Sequence, residues 1–258
     1  MGMCNRIFMI FKINIIKTIL LNIKLFHLRD AIRLPLLVYG RYSVYNVMSL
    51  QRGQIELKCP VRTGLVRLNR RIGYNIGNHL EGSLNLQGKI IVNGGGIDIG
   101  QGCNISVRQG AILELAENLA VTGLTNIHVY HCVKIGKHTM ISWNVHVHDT
   151  DYHYFIKEDK IFSRDRTISI GENVWIGHEV TITKGSQIPS NCIVASYSLV
   201  NCSFPESPNG LMLAGIPAQI KRFNVRPIND FIRDSEIDRY FKIHQGDTEN
   251  GVALSVFE

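Results

Sequence analysis

The stretch Ile170–Val200 reads IGENVW, IGHEVT, ITKGSQ, IPSNCI, VASYSL and then V. An aliphatic residue returns every six positions, at Ile170, Ile176, Ile182, Ile188, Val194 and Val200. Four residues after each of the first five stand Val174, Val180, Ser186, Cys192 and Ser198, all small or of modest size. A period of six is neither the helical repeat nor the plain alternation of a strand. It fits one short strand plus a corner, with three such units closing a triangular coil of about eighteen residues. The aliphatic residue then points into a prism, and the small residue sits near a corner where successive coils stack. A coil of this kind buries its core only against its neighbours.

Working outward, the same register holds upstream at Ile135, Ile141 and Val147, with Thr139 and Val145 in the small positions. Ile99 and Ile105 suggest earlier coils in a looser form. Between Val147 and Ile170 the spacing is 23, which is not a multiple of six. The intervening HDTDYHYFIKEDKIFSRDRT, starting at His148, is polar, charged and aromatic, so a loop leaves the coil at about 148–168. Loops held by a rigid framework are where functional groups concentrate. The expected architecture is all-β, a parallel β-helix over 59–220 after an N-terminal helical lead-in over 1–58 and before a tail over 221–258. Within that tail, 226–258 carries no readable motif and is expected to be irregular or partly helical.

The composition, 45% hydrophobic and 19% charged over 258 residues, is that of a folded chain. A net charge of +7 suits nucleic acid, anionic lipid or a phosphate-rich cofactor. No nucleic-acid module and no aromatic–basic interleaving is present, so nucleic acid is not an expected partner. Cys4, Cys59, Cys103, Cys132, Cys192 and Cys202 form no C-x-x-C pair and read as reduced apolar fillers, which points to the cytoplasm.

The first thirty residues are apolar, yet Lys12, Asn14, Lys17, Asn22 and Lys24 interrupt them, and the longest clean run is Ile7 to Phe11. A spanning helix needs about 20 apolar residues, and no cleavage site follows a signal-like core. On a helix, Asn14, Lys17, Thr18 and Lys24 share about a third of the circumference, with Leu21 and Leu25 intruding. Peripheral membrane contact through residues 7–28 and packing on the chain's own domain or a neighbouring copy both fit this pattern.

Histidine titrates near neutrality and so suits general acid–base chemistry. His153, His148 and His146 are the candidates in and beside the loop. Gly177 and Ala195 lie eighteen residues apart, on the same corner of adjacent coils, where two backbone amides would line one groove. The D-x-D-x-H string Asp149–His153, the WIG at Trp175–Gly177 and the AGIPAQIKRF at Ala214–Phe223 resemble the sugar O-acetyltransferases of the hexapeptide-repeat acyltransferase family. The resemblance covers about residues 90 to 225.

It implies a left-handed coil, a homotrimer, and acetyl-CoA as cosubstrate with no metal. It assigns the base to His153, with Asp149 or Asp151 orienting it. It places CoA along Trp175, Gly177, Ala195 and Ser196, with Lys221 and Arg222 facing its phosphates. The lead-in Ala31–Pro35 looks like that of polysaccharide-modifying members, which suggests a glycan acceptor. One departure stands out: where the family reads like A-G-S-V-V-T-K, this chain has Ala195 to Asn201 with no lysine and with Tyr197 in place of a small residue. Three other readings compete: an N-acetyltransferase on an amino sugar, a non-catalytic β-helix, and a zinc carbonic-anhydrase-like protein using His148, His153 and His128 or His131.

Overall fold

The computed structural model describes residues 13–72, 80–244 and 251–257. Cys4 and the part of the expected membrane-contacting segment at 7–12 lie outside the described residues.

Three sheets of nine, seven and six strands form the faces of a prism, and within each face a strand pairs in parallel with its counterpart one coil later. The chain is a parallel β-helix. Every hexad aliphatic from Ile170 to Val200 is buried, as are Val174, Val180, Ser186, Cys192 and Ser198. The corners have their own period of six: Asn173, Glu179, Gly185, Asn191 and Tyr197 all adopt positive φ, between 52° and 78°. That left-handed conformation turns the chain sharply after each short strand, and Asn and Gly adopt it at least strain.

Coil strands are already present at Leu36–Val38, paired with Val66–Arg70, within the segment 1–58 expected as lead-in. Helix α1, Ile15–Leu25, begins at Asn14, whose side chain accepts from the Lys17 amide. It covers the open edge of this first strand. Thr18 Oγ1 accepts from the Val38 amide at 3.0 Å, and Asn22 both accepts from the Leu36 amide and donates to its carbonyl. These side chains stand in for a missing strand, which protects an edge that would otherwise recruit another chain. A short helix α2, Leu28–Ala31, follows. At the other end the nine-stranded sheet closes with Leu211–Gly215 and an antiparallel strand, Ala218–Phe223.

The prism and its flanking segments form one compact unit through Pro227. A second unit starts at Ile228 and contains helix α3, Phe231–Ile243, where Tyr240 packs edge-on against Phe257 at 5.1 Å.

Candidate active site

The loop departs from the end of the strand His146–His148 and returns to Ile168–Ile170, so His146 pairs with Thr181, thirty-five residues on. Asp149 anchors the departure. It is fully buried, and its carboxylate accepts from the amides of Tyr130 at 2.7 Å, His131 at 2.9 Å and Cys132 at 2.7 Å. Burial pushes its pKa up and the three amides pull it back. Both oxygens are thereby engaged with backbone, which removes Asp149 from the expected role of orienting a histidine. Thr150 is buried behind it and donates to Asp165 across the loop's neck, at 2.5 Å.

Asp151 pairs instead with Lys184 at 2.5 Å, and Lys184 also donates to the Ser163 carbonyl. Arg164 lies over the rings of Tyr130 and Tyr154, at 5.8 and 5.1 Å. The loop's far part is a small hairpin, Ile156–Lys157 against Lys160–Ile161, exposed along with Tyr154, Phe155 and Phe162. His153 is exposed; its amide bonds to the Asp151 carbonyl at 2.7 Å, and its ring engages no partner among the described residues.

Beside the loop's base sits a histidine cluster. His128 and His148 are register partners on adjacent coils, and Asn126 and His146 are the next pair along. The Tyr152 hydroxyl meets His128 Nδ1 at 2.9 Å, while its ring stacks on His148 with centroids 6.0 Å apart. Burial holds both half-buried histidines below the ordinary histidine pKa. His146 adds to this at His128; His128 and His146 add to it at His148, against Asp151 and Asp149.

The other end of the strand His146–His148 is the corner where CoA was expected. Gly177 and Ala195 do share it, but their amides are not free: Gly177 donates to Val194 and Ala195 to Leu213, both at 2.8 Å. Among the described residues, the amides of Trp143, His178 and Ser196, one residue further along each coil, find no acceptor, and neither do those of the buried Val180 and Ser198. Of the expected pair, Gly177 has a structural duty instead: a Cβ there would lie 2.6 Å from the Ser196 nitrogen, so coil stacking demands glycine. The Trp143 ring stacks on His178 at 4.6 Å and 5°, Tyr197 meets His178 edge-on at 5.2 Å, and Ser196 Oγ lies 2.8 Å from His178 Nδ1.

Trp175 borders this corner, 45% exposed, with Nε1 donating to Ser142 Oγ at 3.3 Å. Along its row of the sheet come Ile193, Met212 and Arg222 in succession, which puts Arg222 about 14 Å away at ordinary strand spacing. Lys221 and Arg222 are both exposed. Sequence reasoning had missed Tyr152, Lys184 and His178, and had weighed His128 only as a metal ligand. A search at twenty residues instead of eighteen would have paired His128 with His148. Among the described residues, no group of three His, Cys, Asp or Glu side chains converges as a metal site.

No protein-family model matches the chain. It is 28% identical over 151 residues to WbbJ of Escherichia coli K12, named as an O-acetyl transferase of lipopolysaccharide biosynthesis, covering 52% of this chain and 76% of that protein. It is 35% identical over 115 residues to the galactoside O-acetyltransferase of the same organism, covering 43% of this chain and 50% of the other. Among solved structures, the N-acyltransferase AntD from Bacillus cereus superposes with a TM-score of 0.44 at 12% identity, over 86% of this chain and 99% of that one. The chain thus aligns over part of its length with two proteins named as O-acetyltransferases, and its hexads wind into a three-sheeted parallel prism.

Proposed function

We propose that the protein transfers an acetyl group from acetyl-CoA to a sugar hydroxyl of a bacterial surface polysaccharide or its precursor. The observation that carries this reading is the corner beside Trp175. Open amides of His178 and Ser196 stand there one coil apart, separated from the histidine-bearing loop by the single strand His146–His148. Two such amides suit the carbonyls of a pantetheine arm, and Trp175 walls its thioester end. Arg222, further along the same row, is available to the cofactor's phosphates, with Lys221 beside it.

In this mechanism His153 takes the hydroxyl proton as the sugar oxygen attacks the thioester carbonyl. The tetrahedral intermediate expels the CoA thiolate, which receives the proton back from the imidazolium. Asp151 positions this base through the loop backbone: its carbonyl accepts from the His153 amide while its carboxylate is held by Lys184. The exposed aromatic hairpin and the open corner suit a groove completed by neighbouring copies in a homotrimer. Free cysteines at 59, 103, 132, 192 and 202 suit a cytoplasmic location.

The test is thiol release from acetyl-CoA with a panel of sugars, amino sugars and bacterial glycans, comparing wild type with His153→Ala after chelation. Hydroxyl-dependent release that survives chelation and collapses in the variant supports the reading. Amine-only acceptors would move it to N-acylation, and release that requires zinc would overturn it.

A further inference from the structure

Helix α1 inverts the usual order of burial. Thr18 and Asn22 are buried with Leu21 and Leu25, while Ile15, Ile16, Ile19, Leu20 and Ile23 are 62, 80, 45, 40 and 50% exposed. The five exposed side chains span about 140° of the helix, with Lys24 on one flank. Exposed Leu28 and Ile32 follow in the next turns. Scattered exposed apolar residues are ordinary; a contiguous row marks an interaction surface. The helix cannot roll to hide it, because Thr18 and Asn22 are tied to the backbone of Leu36 and Val38.

Charge selects the partner. From 13 to 55 the chain has six cations, Lys17, Lys24, Arg29, Arg33, Arg41 and Arg52, against the carboxylate of Asp30 before Glu56 is reached. An anionic lipid surface satisfies both the apolar row and the charge. We infer that α1 lies in the plane of an anionic membrane surface, its isoleucines in the acyl boundary and Lys24, Arg29 and Arg33 at the headgroups. No helix among the described residues is long and apolar enough to cross a membrane, so the contact is in-plane. This inference is independent of the acetyl-transfer reading.

The experiment is co-sedimentation of the full chain with phosphatidylcholine vesicles and with vesicles that also contain phosphatidylglycerol. Binding is expected on the anionic vesicles only, and it should weaken as salt is raised. The triple variant Ile16→Glu, Ile19→Glu, Ile23→Glu should lower the bound fraction at least about tenfold. Lys24→Glu with Arg29→Glu, a change confined to the surface, should lower anionic binding while leaving thiol release unchanged. Wild type that stays in the supernatant with anionic vesicles overturns the inference, as does binding that neither variant reduces. A triple variant that only elutes as a smaller species would assign the face to a second copy instead.

Discussion

Upstream of the loop, Asp98 pairs with Ala120 after twenty-two residues and Ala120 with Met140 after twenty; downstream, Trp175 pairs with Ile193 after eighteen. The longer coils present a ladder of polar side chains on their second face. Ser83 donates to Asn104 at 2.7 Å, Asn104 to Asn126 at 3.0 Å, and Asn126 meets His146 Nδ1 at 3.4 Å. On the shorter coils the hexads are strictly buried, and the corner of His178 and Ser196 combines open backbone amides with the rings of His178 and Tyr197. The regular half thus carries open amides beside aromatic rings, while the irregular half and the loop carry the polar ladder and the paired histidines.

That division is most exposed to test at the histidines. His153→Ala is expected to lower kcat by about 10²–10⁴-fold, the usual worth of a general base. His146→Ala, which removes the top of the upstream ladder, should leave kcat within a few-fold. The reverse result would move the base from the loop to the prism face, and steady-state rates at saturating acetyl-CoA decide between them.

Asp149→Ala comes next in size. It strands three buried backbone amides at the junction of the two halves and should destabilise the protein by about 3 kcal/mol, at about 1–3 kcal/mol per orphaned group partly relieved by water. Urea unfolding measures this. A loss of rate without a loss of stability would return Asp149 to the role of orienting the base.

The prism was legible because its period is imposed by geometry that every coil must satisfy. Ile170 to Val200 needed no partner outside the repeat to be placed. The upstream coils were only partly legible, since the steps from Ile105 to Ile127 and from Ile127 to Val147, twenty-two and twenty residues, depart from eighteen while keeping their strands aligned. The site was legible at the level of segments and misread at the level of atoms. The eighteen-residue spacing put Gly177 and Ala195 on one corner, but which amide of each corner faces outward depends on the ladder hydrogen bonds, and these shift the open positions to His178 and Ser196. The D-x-D-x-H string likewise hid that its first carboxylate is turned inward. The N-terminal helix was read by its polar stripe, and tertiary hydrogen bonds drew that stripe into the protein.

Gly177→Ala probes the downstream corner. With its Cβ 2.6 Å from the Ser196 nitrogen and 2.7 Å from Ser196 Oγ, the two coils must separate there. The expected destabilisation is about 1–3 kcal/mol, typical of overpacking. KM for acetyl-CoA should rise more than kcat falls, because the displaced groups are the amides assigned to the cofactor. An unchanged KM would dissociate CoA from this corner.

The smallest effect belongs to the upstream histidines, and its sign follows from their burial. His128 and His148 are held below the ordinary histidine pKa of 6.5 in the folded chain, whereas the unfolded chain restores that value. Below pH 6.5 the unfolded state therefore binds more protons, and stability falls as pH drops through the window between the two values. Their contribution is complete above it. Thermal melts from pH 8 to pH 5 should show this decline, and His128→Asn with His148→Asn should flatten it. A slope unchanged by the double variant would mean that water reaches these rings freely, and the upstream face would then be open surface instead of the wall of a site.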